Sequence, residues 1–229
     1  MKPEDYLVPY PYPDLRNRFL GFMLPSEEGA YVTDAAELRA AFARSRQTSR
    51  TYGLVWGKDP RYFGATERSL IQELAARVPM HLTVEWGGAT PLTGDGILNH
   101  GHKEPKAWRA LLRGARFVLG LGDPILGPTA LEALAAGAVL LNPSFTPPRR
   151  IDGNPGVHFS SQHTFAGTIG PPHVLSIDLA QPDRVIRTVD ELMAHSPESS
   201  APAPGGLDEF TRGAYLSRLS ALLPPRVHV

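Results

Sequence analysis

Between Phe117 and Pro148 the chain carries three glycines, Gly120, Gly122 and Gly127, then Pro128-Thr129, then one carboxylate, Glu132. Residue types in this order could hold a phosphorylated ligand. A helix that starts behind a glycine loop presents unpaired backbone N–H groups and a partial positive charge, which together attract phosphate. A carboxylate one turn further on can accept hydrogen bonds from ribose hydroxyls. The combination points to a nucleoside diphosphate group. The plainer role for Glu132 is to favour its own helix N-terminus, by about 0.3–1 kcal/mol.

The glycine spacing admits three phosphate sites, and two fit poorly. A dinucleotide fingerprint needs G-x-G-x-x-G and an acid at the end of the next strand. In this chain the third glycine, Gly127, falls two positions too late, and the next strand ends at Asn142. A P-loop needs Gly-Lys followed by Ser or Thr, but Gly57-Lys58 is followed by Asp59. The third possibility is the nucleotide-sugar half of a two-domain glycosyltransferase, in which Gly-Pro opens the helix and an acid follows. Gly127, Pro128, Thr129 and Glu132 suit it. The turn Asn99-His100-Gly101, upstream of a helix and a strand, would then lie beside the nucleobase.

These residues need a scaffold, and the hydrophobic pattern describes one. Thr51–Val55, Met80–Trp86, Phe117–Leu121, Val139–Asn142 and His173–Asp178 read as strands. Ala35–Arg46 (with a capping box at Asp34 and Glu37), Thr66–Val78, Pro105–Arg113, a segment from Pro128–Thr129, Pro182–His195 and Asp208–Leu223 read as helices. Strands alternating with helices predict an α/β fold around a Rossmann-like, mostly parallel sheet. Val118, Leu119, Leu131, Leu134, Val139 and Leu140 are core candidates. The expected organisation is an extended segment over 1–24, a nucleotide-sugar-binding domain over 25–195, a linker over 196–206, and a C-terminal helix and tail over 207–229.

Composition narrows the partners. Lys+Arg and Asp+Glu are both 23, so no basic excess marks a nucleic-acid partner. The absence of cysteine excludes disulfides and zinc fingers. No run of about 18 apolar residues forms a membrane span, and MKPEDYLVPYPYPD lacks the apolar core of a signal peptide. His100 and His102 flank Gly101, but a metal would need a third ligand. His163, His173 and the three tryptophans read as structural.

LNHG, FVLGLGDP, GPTALEALAAG, LLNPSFTPP, SSQHTFA and PPHVLSIDL resemble, in order, blocks of glycosyltransferase family 18, the family of alpha-1,6-mannosylglycoprotein 6-beta-N-acetylglucosaminyltransferases. RFLGFML, YGLVWGKDPRYF and DEFTRGAYLSRLSALL are similar to flanking blocks, so the resemblance runs from about Arg18 to Leu223. It implies a GT-B architecture and the C-terminal, donor-binding half of it. It implies a UDP-N-acetylglucosamine donor, transfer in beta-1,6 linkage to a mannose of N-glycans, no metal or other cofactor, a glycoprotein acceptor and a Golgi lumen setting. No D-x-D motif is present to hold a divalent ion. Lys58 and Arg149, each after a predicted strand end, are then candidates for the diphosphate, beside Asn99, His100, Gly122, Gly127, Pro128, Thr129 and Glu132 for the donor. The catalytic general base is expected in the family's acceptor-binding half, which these blocks do not cover. Relatives carry a glutamate immediately before Gly-Pro, where this chain has Leu126. A non-catalytic or degenerate nucleotide-sugar-binding domain is the alternative.

Overall fold

The computed structural model describes residues 7–8, 18–19, 23–26, 31–45, 49–151, 154–194 and 203–222. Most of the expected extended segment 1–24, and 196–202 of the expected linker, lie outside them. Within 1–24, Leu7–Val8 (β1) and Arg18–Phe19 (β2) pair in parallel.

Seven strands form the main sheet: Tyr52–Trp56 (β3), Met80–Leu82 (β4), Ile97–Asn99 (β5), Ala115–Gly120 (β6), Val139–Ile151 (β7), Asn154–Ser161 (β8) and Val174–Ile177 (β9). In space the parallel strands run β5-β4-β3-β6-β7-β9, and β8 folds back antiparallel on β7. Counted from β3, that is the order 3-2-1-4-5-6 of a doubly wound nucleotide-binding sheet. β3 is the switch point: the chain winds outward from it to β4 and β5, then returns to its other side as β6.

Helices cover both faces because strands inside a parallel sheet are apolar on both sides. The six residues of β6 are all buried. One face is covered by Ala35–Ser45 (α1), Pro105–Gly114 (α3), Thr129–Ala135 (α4) and Thr164–Ile169 (α5). Ala65–Ala75 (α2) and Pro182–Ala194 (α6) cover the other. All the core candidates named from sequence are fully buried except Val139, which is half-buried against the second cluster.

α1 starts as its capping box dictates, with Asp34 Oδ1 accepting from the N–H of Ala36 (2.8 Å) and of Glu37 (2.9 Å). Glu37 reaches back to the N–H of Thr33 at 2.7 Å, one residue beyond the N-cap. Below the sheet the buried Arg50 donates to Ser45 O, Ala115 O and Ala136 O, joining the ends of α1 and α4 to the start of β6. Burial and the neighbouring Arg116 charge lower its pKa to about 10.

Several elements depart from the sequence reading. The strand expected over Met80–Trp86 stops at Leu82, because the side chain of Asn99 takes the backbone groups of Val84. The strand expected to end at Asn142 runs on to Ile151, since the antiparallel partner β8 pairs with it despite Pro143 and Pro147. β5, β8 and α5 carry too few apolar residues for a periodic signal. The helix expected over Asp208–Leu223 is a 3-10 turn, Leu207–Phe210, then Arg212–Leu222 (α7), with Thr211 extended between them.

Candidate functional site

In a doubly wound sheet a ligand is held outside the carboxyl ends of the strands at the switch point. A cleft of about 230 Å³ opens there. Gly57 and Lys58 line it just past β3, Thr83 just past β4, His102 and Lys103 past β5, Trp108 from α3, and Thr129 from the start of α4. The lining carries two lysines and a histidine and no carboxylate. Such a cleft suits a polyanion.

Beneath the cleft, β6 runs into the glycine loop Gly120–Gly127. Gly122 has φ +92°, a left-handed backbone that favours glycine. The loop is held by Gln162, which is fully buried. Its Oε1 accepts from the N–H of Gly122 at 2.9 Å, its Nε2 donates to Pro124 O at 3.1 Å, and its carbonyl accepts from the N–H of Leu126 at 2.9 Å. A Cβ on Gly120 would run into Gln162 Oε1 and Pro143 Cδ. Leu126 takes φ +59° and packs against the apolar core. Pro128 is the N-cap of α4, and its carbonyl accepts from Leu131 and Glu132.

The residues singled out from sequence fall into separate groups. Lys58 and Thr129 line the cleft together. Gly122 and Arg149 meet elsewhere on the loop: Arg149 Nη1 donates to Gly122 O at 3.1 Å, Nη2 to Asp123 Oδ2 at 3.0 Å, and the guanidinium lies 4.7 Å from the Phe145 ring centre. The amide of Asn99 accepts from Val84 N–H and donates to Val84 O, both at 3.0 Å, so it fixes the turn after β4. The ring of His100 lies 3.2 Å from His81, whose own ring stacks on Tyr52. Burial lowers the pKa of both histidines, helped by His100 at His81 and by Lys103 at His100. Of the NHGHK stretch, His102 and Lys103 reach the cleft lining instead.

Glu132 sits one turn below Thr129, on the same side of α4. Its Oε2 accepts from Trp108 Nε1 at 2.9 Å. Trp108 lines the cleft, while Glu132 lines an adjoining cavity between α1, α3 and α4, so this bond joins the two spaces. Among the described residues, no three His, Asp or Glu side chains come together as a metal site would require.

Sequence reading passed over Gln162 and Lys103 and took Trp108 as structural. Gln162 stands in the SSQHTFA block but 40 residues from the loop it holds. Trp108 reads as one of the apolar face of α3, and only the fold shows its edge turned to a carboxylate.

A doubly wound sheet of this order makes the chain a Rossmann-like α/β domain of the GT-B type. The chain belongs to glycosyltransferase family 18, whose model matches residues 1–226. Alpha-1,6-mannosylglycoprotein 6-beta-N-acetylglucosaminyltransferase A of Homo sapiens is 29% identical over 232 residues, covering 97% of this chain and 29% of the relative. The corresponding Caenorhabditis elegans enzyme is 27% identical, over 93% of this chain and 31% of its own length. The chain thus spans less than a third of these relatives. Among solved structures, the glycotransferase of kitacinnamycin has a TM-score of 0.54 at 20% identity, covering 96% of this chain and 55% of that one, a likeness of fold.

Proposed function

We propose that the cleft binds the donor UDP-N-acetylglucosamine, and that the chain is the donor-binding part of an enzyme transferring N-acetylglucosamine in beta-1,6 linkage to a mannose of N-glycans. The observation that carries this is the basic cleft at the switch point, in a chain of family 18. Lys58 and Lys103 offer the charge that a diphosphate needs. During transfer the bond from the sugar to the diphosphate breaks, and negative charge grows on the leaving oxygen. Cations already fixed beside it favour that state over the bound donor. The glycine loop lets the backbone approach the same phosphates, and Glu132 accepts from the ribose hydroxyls. The acceptor is a glycan or glycoprotein. A Golgi lumen setting goes with that acceptor and rests on the family alone.

A second reading, donor binding without catalysis, is favoured by Leu126. Where the relatives place a glutamate, this chain turns an apolar side chain onto its core. Calorimetry with UDP and with UDP-N-acetylglucosamine tests the donor site; a folded protein giving no heat with either ends the proposal. A radiolabelled transfer assay on a biantennary N-glycan separates the two readings. Transfer by this chain excludes the second, and binding without transfer supports it.

A further inference from the structure

The Trp108–Glu132 hydrogen bond links the cleft wall to the acid behind it. We propose that Trp108 is the positioning residue for the ribose subsite: its indole N–H fixes the rotamer of Glu132 and thereby sets the preference for a donor with intact ribose hydroxyls. This rests on the donor-binding reading above.

Three features support the proposal. The glutamate side chain has three rotatable bonds, and an unanchored carboxylate loses rotamer freedom when a ligand orders it. Trp108 removes that cost beforehand. A carboxylate has about four lone-pair sites. The single indole N–H occupies one of them, so acceptor capacity remains for two ribose hydroxyls. Trp108 is itself held by the fold: its half-buried ring packs on the core between α1, α3 and α4, which restricts the direction in which the indole N–H can point.

The test compares wild type with Trp108→Phe, which keeps an aromatic ring and loses the N–H, and with Glu132→Gln. Circular dichroism and thermal melting confirm that each variant is folded. Calorimetry measures UDP and 2′-deoxy-UDP. Wild type should prefer UDP, and W108F should lose about fivefold in UDP affinity while holding 2′-deoxy-UDP nearly unchanged. A merely structural tryptophan would weaken both ligands alike. Unchanged discrimination, equal loss for both, or tighter UDP binding by W108F overturns the proposal; the last would make the indole a competitor for the acid. The contact is checked without ligand by the Trp108 indole N–H resonance, which should shift when Glu132 is replaced in E132Q. If that resonance behaves as expected but wild type binds no UDP, the donor reading has failed, and the positioning role fails with it. If UDP binds and the resonance is insensitive to Glu132, only the positioning role has failed.

Discussion

Gln162 Oε1 meets the N–H of Gly122 at 2.9 Å, and through that contact the turn after β8 holds the glycine loop that follows β6. The loop is therefore shaped before any ligand arrives. A loop ordered beforehand loses little freedom when a ligand binds beside it.

Gln162→Ala should be strongly destabilising. It leaves the buried Gly122 N–H and the part-buried Pro124 O without their partner and opens a cavity. Each stranded group costs about 1–3 kcal/mol, so urea unfolding should show a loss of about 2–5 kcal/mol. A loss below about 1 kcal/mol would show that the loop keeps its shape without the glutamine.

Leu126→Glu should tighten donor binding. The resemblance to the family implies an acid at this position, and a charged hydrogen bond to a ligand contributes about 1.5–3 kcal/mol, or roughly ten- to a hundredfold. The backbone there is already left-handed, at φ +59°, so the change asks for no new conformation. Calorimetry with UDP-N-acetylglucosamine decides it. Unaltered affinity in a folded variant means that residue 126 does not face the donor.

Arg149→Ala separates a ligand contact from a loop brace. The Arg149–Asp123 pair is about two-fifths exposed on both sides, so its loss should change stability by less than about 1 kcal/mol. If Arg149 serves the diphosphate, UDP affinity should still fall by about tenfold. Melting temperature and UDP titration are read together; an affinity equal to wild type assigns the arginine to the loop alone.

His163 should make stability depend on pH. Burial lowers its pKa from 6.5 to about 4. Its Nδ1 accepts from the N–H of Ala166, capping α5. Between those two values the unfolded chain binds more protons than the folded one. The stability from neutral His163 is thus complete above 6.5 and is lost as the pH falls toward 4, by about 3 kcal/mol over the window. His163→Asn keeps an N-cap acceptor and removes the titration. Unfolding at pH 4.5 and at pH 7 should differ less in the variant than in wild type.

Strands β3 and β6, helices α1, α2, α3 and α6, and the start of α4 at Thr129 follow from hydrophobic period, capping residues and proline placement. Those signals lie within one or two turns of chain, and so does Gly127-Pro128-Thr129 with Glu132. Lys58 at the end of β3 was legible for the same reason: position after a buried strand is a local property. The antiparallel return of β8 was not, because its pairing partner, not its own pattern, makes it a strand.

Which residues face the cleft was decided by the fold alone. Asn99 and His100 sit beside His102 and Lys103 in sequence. The first two are engaged by Val84 and His81, and the next two line the cleft. From sequence came the family, the α/β order and the chemical types available. Tertiary structure alone joined Gln162 to Gly122 across 40 residues and Trp108 to Glu132 across 24. Hydrogen bonds of that kind depend on where separate elements cross, and no local period of the chain records it.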